Sequence, residues 1–387
     1  MKILFHSNLF PDASQSYRGQ DNANLLHRLA ESAQVRVIAP RALLPFLPAP
    51  QVRAREVDAP FQPVFPHYRY IPKVGSALNH HLLRFAVRRS FEAAVETFQP
   101  DVLLASWAYP DTCAVVPLAR RYGLPVVAVT QGSDVHIHLR MPLRRRLIPR
   151  AFAHCRTVIT RSARLGKLLE DAGVRADKLR TVYNGVDPAV FHPGERADAI
   201  RALGLPEGPR YLLYVGNYYP VKNPFLLLQA LAQVRQGLTG SDVQLLMIGE
   251  GPLQGRVEST VQELGLKGSV HLFGRQSSAE IAGFMRAADM LCIPSRNEGL
   301  PNVLLEAFSC GLPIISTNVG GIHELLHDGR HGRLVPSGNS DTMAQAIAER
   351  LTMERDHDAI VQHAEPFSWE KTVATYQDIL ESAASAH

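Results

Sequence analysis

The sequence predicts an α/β fold built from two doubly wound, Rossmann-like domains. Short β-branched runs alternate with segments of helical periodicity along most of its 387 residues, which is typical of parallel sheets with helices on their faces. The length also favours two domains, because one domain usually holds roughly 100–200 residues. A stretch rich in glycine, proline and charge separates the two alternating regions, and we expect the linker there.

The predicted elements follow this alternation in order. The strands are KILFHSN, VRVIAP, VLLASWA, VVAVT, TVITR and RTVYN in the first domain, and YLLYVGN, QLLMIGEG, VHLFGR, MLCIPS, PIIST and GRLVP in the second. Helical stretches such as DNANLLHRLAES and NPFLLLQALAQVRQ lie between them. The closing SWEKTVATYQDILESA predicts an amphipathic helix, which we expect to cross back onto the first domain. We therefore assign residues 1–190, with the returning helix 370–387, to the first domain and residues 191–369 to the second.

Two such domains that meet at a linker are expected to face a central cleft. Open parallel sheets bind their ligands beyond the carboxyl ends of the strands, so the cleft is the predicted binding site.

Composition excludes several classes of protein. A hydrophobic fraction of 46% with 20% charged residues argues against disorder and against a fibre. No run approaches the roughly 18 apolar residues of a spanning helix. The start of the chain turns polar after five residues, unlike a signal peptide. The four cysteines are widely spaced without a CxxC, which argues against a disulfide scaffold or zinc ribbon. We therefore expect a cytoplasmic protein.

Charge is divided unevenly along the chain. Residues 1–190 carry 26 Lys and Arg against 14 Asp and Glu, hence +12, whereas residues 191–387 carry 15 against 22, hence −7. The basic residues concentrate in two predicted helices among apolar side chains, at Arg84, Arg88, Arg89, Arg140, Arg144, Arg145, Arg146 and Arg150. Near an anionic leaflet each contributes about 1 kcal/mol, which would hold the protein peripherally at a membrane. The alternative is an ordinary solvated basic face, and no motif indicates nucleic-acid binding.

The most informative stretch is PSRNEGLPNVLLEAFSCGLPIIST, residues 294–317. Glu298 follows a predicted strand, a Gly-Leu-Pro-Asn turn comes next, and Glu306 lies within the helix that follows. Pro301 suits the first helical position, where its missing N–H costs nothing. The N–H groups of Asn302 and Val303 would then point out of a positive helix end, which suits a diphosphate. The two carboxylates suit the diols of a nucleotide sugar.

Two further loops after strand ends carry candidate phosphate-binding residues. Lys222 follows the strand YLLYVGN and opens the next helix, and Gly216 and Asn217 lie in the same loop. In the first domain, Arg18 and Gly19 stand between the first strand and its helix. Glycine there lets the backbone approach a phosphate closely.

These residues carry a family resemblance that covers nearly the whole chain. The chain resembles the group 1 (family 4) retaining glycosyltransferases of the two-domain GT-B fold, and is similar to bacterial polysaccharide and exopolysaccharide glycosyltransferases. The resemblance rests on the E-x7-E of Glu298 and Glu306, and on YNGVDPAVF (183–191), IGEGP (248–252), FGR (273–275), GLP-I (311–314) and NVGGIHELLHDGRHGRLVP (318–336).

The resemblance implies a role for each matching position. Glu298 would hold the donor-sugar hydroxyls, Glu306 the ribose hydroxyls, and Lys222 the departing diphosphate. The donor pocket would further include Gly19, Gly216, Asn217, Arg275, Leu300, Pro301, Asn302 and Val303.

The implied reaction uses no metal and no cofactor. The positive charge comes from Lys222 and the helix end, and the substrate is a UDP- or GDP-linked sugar. No covalent nucleophile is needed, because the acceptor hydroxyl attacks from the face that the diphosphate leaves, so configuration is kept. The acceptor would be a polysaccharide or a lipid-linked glycan at the inner membrane face.

The sequence departs from the family pattern at three places. Gln131 stands where a first-domain loop usually has His, Asn217 where an Arg often partners the Lys, and the common Gly-Gly of the first loop reads Gly19-Gln20. We assign Gln131 to the catalytic residues as the amide that orients the sugar. Arg18, Asp134 and His136 are assigned to the acceptor side, with Asp134 or His136 as candidates for proton handling.

Other interpretations of the residues stay open. His323 to His327 matches the zinc-protease pattern HExxH. Within the same fold, a sugar-nucleotide epimerase or a phosphorylase is the alternative enzyme. A non-catalytic sugar-nucleotide-binding subunit is the alternative from another class, since Gln131 and Asn217 replace expected residues.

Overall fold

The computed structural model describes residues 1–44, 46–237, 242–327, 329, 331–354 and 356–385. The chain divides into two compact units, Met1–Asn184 with Trp369–His387, and Gly185–Ser368. The sequence-based division had placed these boundaries after residues 190 and 369.

The strands lie in two main parallel sheets. They are β1 (Lys2–His6), β2 (Gln34–Ile38), β3 (Arg41–Leu43), β4 (His67–Arg69), β5 (Val102–Ser106), β6 (Val126–Thr130), β7 (Thr157–Thr160), β8 (Leu179–Thr181), β9 (Arg210–Val215), β10 (Val243–Ile248), β11 (Val270–Leu272), β12 (Met290–Ile293), β13 (Ile314–Thr317) and β14 (Gly332–Val335). The first sheet runs β2-β1-β5-β6-β7-β8 and the second β11-β10-β9-β12-β13-β14. Strands β3 and β4, which the sequence did not predict, pair separately. The predicted α/β fold with two parallel sheets is confirmed.

The helices connect these strands. They are α1 (Gln20–Leu29), α2 (Asn79–Phe98), α3 (Cys113–Arg121), α4 (Ser133–His136), α5 (Pro142–Phe152), α6 (Ala163–Asp171), α7 (Arg196–Ala202), α8 (Pro224–Gly237), α9 (Gln254–Glu263), α10 (Ser278–Ala287), α11 (Asn302–Ser309), α12 (Ser340–Thr352), α13 (His357–Ala364) and α14 (Trp369–Ser385). Among the described residues, no helix has the length and apolarity needed to cross a membrane.

Each sheet has a point where the winding direction reverses. In the first sheet the reversal lies between β1 and β5, and in the second between β9 and β12. The central strands are apolar and buried on both faces, as in β5 and β6, so they offer no polar groups from their middles. Polar side chains gather instead in the loops that follow the strands, and the crevice at the reversal is where such sheets bind ligands.

The C-terminal helix α14 packs on the first unit. Tyr376 and Leu380 are completely buried in the same core as Leu25 and Leu26 of α1. The guanidinium of Arg28 lies 4.9 Å from the ring of Trp369. The predicted return of this helix to the first domain is therefore confirmed.

His6, at the end of β1, has a completely buried polar side chain. Its side chain is fully inaccessible, and neither ring nitrogen has a hydrogen-bond partner among the described residues. The nearest carboxylate oxygen, Oδ1 of Asp111, lies 3.9 Å from Nε2. Burial lowers the pKa of His6 to about 3. The ring is therefore neutral in the folded protein.

Replacement of His6 should change how stability depends on pH. An unfolded histidine titrates near pH 6.5, so acidification below that value favours the unfolded chain by about 1.4 kcal/mol per pH unit until the folded pKa is reached. In urea unfolding, we expect the free energy of unfolding of His6→Phe relative to that of wild type to favour the folded variant by about 2 kcal/mol more at pH 5 than at pH 8.

Tryptophan fluorescence reports this transition, because both tryptophans, Trp107 and Trp369, belong to the first unit. A packing cost of the larger ring is the same at both pH values and cancels in the comparison. Parallel stability curves for the two proteins between pH 5 and pH 8 would contradict the assignment.

Candidate functional site

The winding reversal of the second sheet brings two predicted site residues together. Strands β9 and β12 are parallel neighbours, and the loops that follow them carry Lys222 and Glu298. Lys222 Nζ donates to Glu298 Oε1 at 2.7 Å and to Oε2 at 2.9 Å. The two residues are 76 positions apart in sequence. The sequence had nominated both for one ligand, but it had not predicted that they bond each other.

Glu298 is held from a second side as well. Ser295 Oγ donates to Glu298 Oε1 at 2.6 Å, and the Glu298 side chain is only 9% exposed. Lys222 is 31% exposed, so the cation faces solvent more than its partner does. A carboxylate this buried needs a compensating cation, and a ligand that draws Lys222 away must offer hydrogen-bond donors to Glu298 in return.

A glycine that the sequence analysis did not single out supports this turn. Gly320 has φ +62, and a Cβ there would lie 1.9 Å from the carbonyl oxygen of Glu298. Next to it, the Gly321 N–H donates to the Gly299 carbonyl at 2.7 Å. The loop after β13 therefore sets the position of the Glu298 backbone. The NVGG run had carried the family resemblance, but only the packing shows what its glycines do.

Helix α11 begins one residue later than predicted. Pro301 is its N-cap, with ψ 130 in the extended region, and Asn302 is the first helical residue. The prediction that Pro301 is the first helical residue was therefore wrong, because the chain is still extended there. Leu300, Pro301, Asn302, Val303 and Glu306 are all half-buried. The positive end of the helix follows directly on the turn that carries Glu298.

The loop that leads to Lys222 packs against a glycine turn. A Cβ at Gly249 would lie 2.1 Å from the carbonyl oxygen of Gly216, and a Cβ at Gly251 would lie 2.8 Å from the backbone of Tyr218. The IGEGP turn thus supports the backbone before Lys222. Asn217 and Arg275 have exposed side chains.

Asp134 does not fit the acceptor role that the sequence suggested. Its carboxylate is fully buried and accepts the backbone N–H groups of Ala108, Gln131 and Gly132 at 2.8–2.9 Å. Burial raises its pKa, against the effect of these hydrogen bonds. The Asp134 side chain fixes the loop after β6 through these hydrogen bonds and is not accessible to a ligand. Its assignment to acceptor binding and proton handling was therefore wrong.

His136 lies two residues after Asp134 in the same short helix and is half-buried. Its Nε2 is buried and has no partner among the described residues. Burial, followed by Arg164 and Arg140, lowers its pKa. The ring is therefore neutral at neutral pH, and as a proton-handling group it would act as a base.

Arg18 and Gly19 shape the loop before α1. The Arg18 guanidinium donates to the Asn8 carbonyl at 2.9 Å, to Gln15 Oε1 and to Asn8 Oδ1. Gly19 has φ +65, and a Cβ there would lie 2.3 Å from the Leu9 carbonyl oxygen. Glycine is therefore required at this N-cap by packing within the unit.

Most of the arginine side chains in the two basic stretches are exposed, but two of them are not. Arg144 is only 5% exposed; it donates to His138 Nδ1 at 2.6 Å and covers the ring of Tyr109 at 4.6 Å. Its assignment to a basic face was therefore wrong. Arg84 is half-buried and donates to the Ala114 carbonyl. The exposed members are Arg88, Arg89, Arg140, Arg145, Arg146 and Arg150.

The HExxH stretch does not form the helix that zinc binding requires. Ile322–Glu324 is a short 3-10 turn. Within the part of the chain that the structure describes, no group of three or more His, Cys, Asp or Glu side chains is arranged to hold a metal ion.

Comparison with known proteins adds sequence relatives and shared folds. The family model for glycosyl transferases group 1 matches residues 195–366, and that for glycosyltransferase family 4 matches residues 22–190. The D-inositol 3-phosphate glycosyltransferase of Segniliparus rotundus is 32% identical over 243 residues, which are 60% of this chain and 54% of that protein. The chain thus spans about half the length of this relative.

Two solved structures share the fold at low identity. HepE of Anabaena in complex with UDP has a TM-score of 0.77 and 19% identity, over 99% of this chain and 100% of that one. Sucrose-phosphate synthase from Thermosynechococcus elongatus has a TM-score of 0.76 and 21% identity, over 100% of both chains.

Replacement of Gly320 by alanine should disturb the Glu298 turn. A left-handed backbone costs a non-glycine residue about 1–2 kcal/mol, and the contact with the Glu298 carbonyl adds the cost of a backbone shift. Gly338→Ala is the matched control, because Gly338 has φ +82 but no atom within 4 Å of a Cβ. In calorimetric unfolding we expect Gly320→Ala to lose clearly more stability than Gly338→Ala. Equal losses would show that Gly320 does not support the turn.

Proposed function

Because the chain belongs to the group 1 glycosyltransferases, we propose that it transfers a sugar from a nucleoside-diphosphate sugar to a hydroxyl acceptor. The proposed reaction retains the configuration of the sugar and uses neither metal nor cofactor. The second unit binds the donor, and the first unit binds the acceptor. The observation that carries the proposal is the Lys222–Glu298 pair beside the N-terminus of α11.

The pair suits an exchange of partners when the donor binds. The diphosphate attracts Lys222, and the carboxylate of Glu298 is then available to the hydroxyls of the sugar. Sugar hydroxyls replace the lost hydrogen bonds, so the buried carboxylate stays satisfied. Glu306, on the same helix as the diphosphate-binding end, binds the ribose hydroxyls.

Bond cleavage then places charge where the site is positive. The bond from the anomeric carbon to the phosphate oxygen breaks, and the diphosphate gains negative charge near Lys222 and the helix end. The acceptor oxygen bonds to the same carbon from the same face, and its proton passes to the departing phosphate oxygen. This assignment needs no separate base, which agrees with the burial of Asp134.

The relatives' names suggest which substrates to test first. HepE was solved with UDP, so UDP-sugars are the first donors, followed by GDP-sugars. The name of the Segniliparus rotundus relative contains a phosphorylated compound, D-inositol 3-phosphate. An anionic acceptor, such as a lipid-linked glycan, also suits the +12 charge of residues 1–190.

We further propose that the first unit holds the protein at the cytoplasmic face of an anionic membrane. Phe85 on α2 is 83% exposed, and Leu143 on α5 is 48% exposed. Arginines flank both positions, and the two helices approach each other at Tyr109, whose ring contacts His80 of α2 and Arg144 of α5. Exposed apolar side chains among arginines suit an anionic leaflet better than nucleic acid.

Removal of either member of the ion pair should abolish most turnover. We expect Lys222→Ala and Glu298→Ala each to reduce sugar transfer or donor hydrolysis at least about 100-fold, because each loses a fixed contact to the charged transition state. The measurement is release of UDP from UDP-glucose and UDP-galactose, and of GDP from GDP-mannose. Lys267→Ala, an exposed lysine of the same unit, is the control.

Nucleotide release, measured together with stabilisation by the nucleotide sugar and with the identity of the sugar, separates a transferase from the alternative functions. Folded Lys222→Ala or Glu298→Ala protein with near-normal rates would refute the roles of the pair. A wild-type protein that is stabilised by a nucleotide sugar but releases no nucleotide would be a non-catalytic binding subunit, and an epimerase would change the sugar without nucleotide release.

Membrane binding should depend on salt and on the exposed arginines. We expect flotation with phosphatidylglycerol vesicles at 50 mM salt and its loss at 500 mM, because screening shortens the reach of the charges. The double variant Arg145→Glu, Arg146→Glu should bind weakly even at low salt. Arg175→Glu, which is exposed elsewhere on the same unit, should bind normally. Flotation that is independent of salt, or absent in wild type, would contradict this proposal.

A further inference from the structure

A directed run of hydrogen bonds connects a backbone carbonyl to Gln131. The Leu9 carbonyl accepts from Asn22 Nδ2 at 2.7 Å. Asn22 Oδ1 accepts from Gln131 Nε2 at 3.0 Å and from Ser106 Oγ at 3.2 Å. Gln131 Nε2 also donates to Ser106 Oγ at 2.9 Å. Asn22 is 2% exposed and Ser106 is fully buried, so solvent does not reach these two members of the network.

The carbonyl at the start of this run determines the orientation of both amides. A backbone carbonyl only accepts, so the Asn22 atom that faces it must be the NH₂ group. Asn22 therefore directs Oδ1 toward Gln131. The Gln131 group that faces this oxygen must be a donor, so it is the NH₂ group. Both N–H bonds of Gln131 are then used, one on Asn22 and one on Ser106. Reversal of either amide would set two acceptors against each other.

Gln131 is left with one group to offer, its oxygen Oε1. Among the residues that the structure describes, Oε1 has no hydrogen-bond partner. The Gln131 side chain is half-buried, and its unpaired Oε1 remains accessible to solvent. An accessible carbonyl oxygen with a fixed direction accepts a hydrogen bond from an O–H or N–H group and repels a carboxylate or phosphate oxygen.

The glycine at the start of α1 makes this run possible. Because Gly19 has no Cβ, the helix start sits directly against the Leu9 carbonyl, which a Cβ would approach to 2.3 Å. The Asn22 N–H donates to the Gly19 carbonyl at 3.0 Å, so Asn22 is fixed in the first turn. Two residues that the sequence assigned separately, Gly19 and Gln131, thus belong to one polar network.

We propose that Asn22 is a positioning residue that makes Gln131 a pure hydrogen-bond acceptor for a hydroxyl of the bound substrate. The proposal rests on the proposed function and deepens it, because it states which chemical group Gln131 receives. A neutral histidine that donates its N–H to Asn22 would present a bare ring nitrogen, and a protonated one would present an N–H and a charge. Gln131 presents a neutral oxygen, whose character does not change with pH.

The test replaces an amide by a carboxylic acid, which is a hydrogen-bond donor only when it is protonated. In Gln131→Glu the carboxylate would face Asn22 Oδ1, acceptor against acceptor. A protonated carboxyl restores the contact with Asn22, because its single O–H donates to Asn22 and its C=O faces the substrate. A glutamate titrates near pH 4.3 in water, and the opposed acceptor raises that value. We expect UDP release from UDP-glucose at least about 100-fold below wild type at pH 8, with the ratio recovering at least tenfold by pH 5.

Asn22→Asp applies the same logic one step back. Its carboxylate would oppose the Leu9 carbonyl at high pH, and its protonated form would restore the donor. We expect the same acid recovery, although Asn22 does not touch the substrate. Circular dichroism at pH 8 separates this effect from a purely structural role, because a structural defect would reduce the helical signal of Asn22→Asp together with its turnover.

Gln131→Met is the matched control, with a side chain of similar length and no titrating group. Its rate should stay low at every pH relative to wild type. The buried Asp134 carboxylate, which accepts the Gln131 backbone N–H, is present in all variants, so any effect of its protonation cancels in the ratio to wild type. Gln131→Met with wild-type rates, or Gln131→Glu with a pH-independent ratio, would overturn the proposal.

Failure of the proposed function gives a different result. If wild type releases no nucleotide from any sugar donor, the function falls, and with it the substrate hydroxyl assigned to Gln131. The amide orientation is tested separately by the side-chain NH₂ signals in a nitrogen-15 spectrum. Both Gln131 protons should exchange with solvent much more slowly than those of the exposed Gln15. Equally fast exchange would overturn the fixed orientation itself.

Discussion

A carboxylate that is nearly sealed from water requires a cation, and this requirement organises the second unit. Glu298 is held by Lys222 and Ser295, its backbone is set by the loop at Gly320, and the loop of Lys222 rests on the IGEGP turn. These contacts come from the carboxyl ends of four neighbouring strands, β10, β9, β12 and β13. In the role that we propose, a ligand that displaces Lys222 must replace both its charge and its hydrogen bonds to Glu298.

The topology explains why the chemistry collects at loops. The central strands are apolar on both faces because helices cover them, so polar groups are confined to the strand ends. At the reversal, the chain leaves neighbouring strands in opposite directions, and a crevice opens between the loops. In the second unit this crevice receives residues 76 positions apart. The first unit has the same reversal between β1 and β5, beside the loop in which Gly19 supports α1.

The first unit uses neutral hydrogen bonding where titratable groups had been expected. Asp134 is fully buried under three backbone N–H groups, and His136 is kept neutral by burial and by nearby arginines. The group that remains accessible is the oxygen of Gln131, whose direction follows from a backbone carbonyl two hydrogen bonds away. In the role that we propose, a substrate hydroxyl bound there would meet a partner that neither gains nor loses a proton.

Local periodicity and turn chemistry were sufficient to predict the alternation of strands and helices, the candidate residues at strand ends, and the helix that carries Glu306. The prediction was wrong by one residue at Pro301, where the chain remains extended. The contacts within the folded chain were needed to show that Lys222 bonds Glu298, that Asp134 and Arg144 are buried, that Gly320 supports a distant turn, and that Asn22 orients Gln131. Burial and hydrogen-bond direction depend on contacts between residues far apart in the chain, and no local pattern records them.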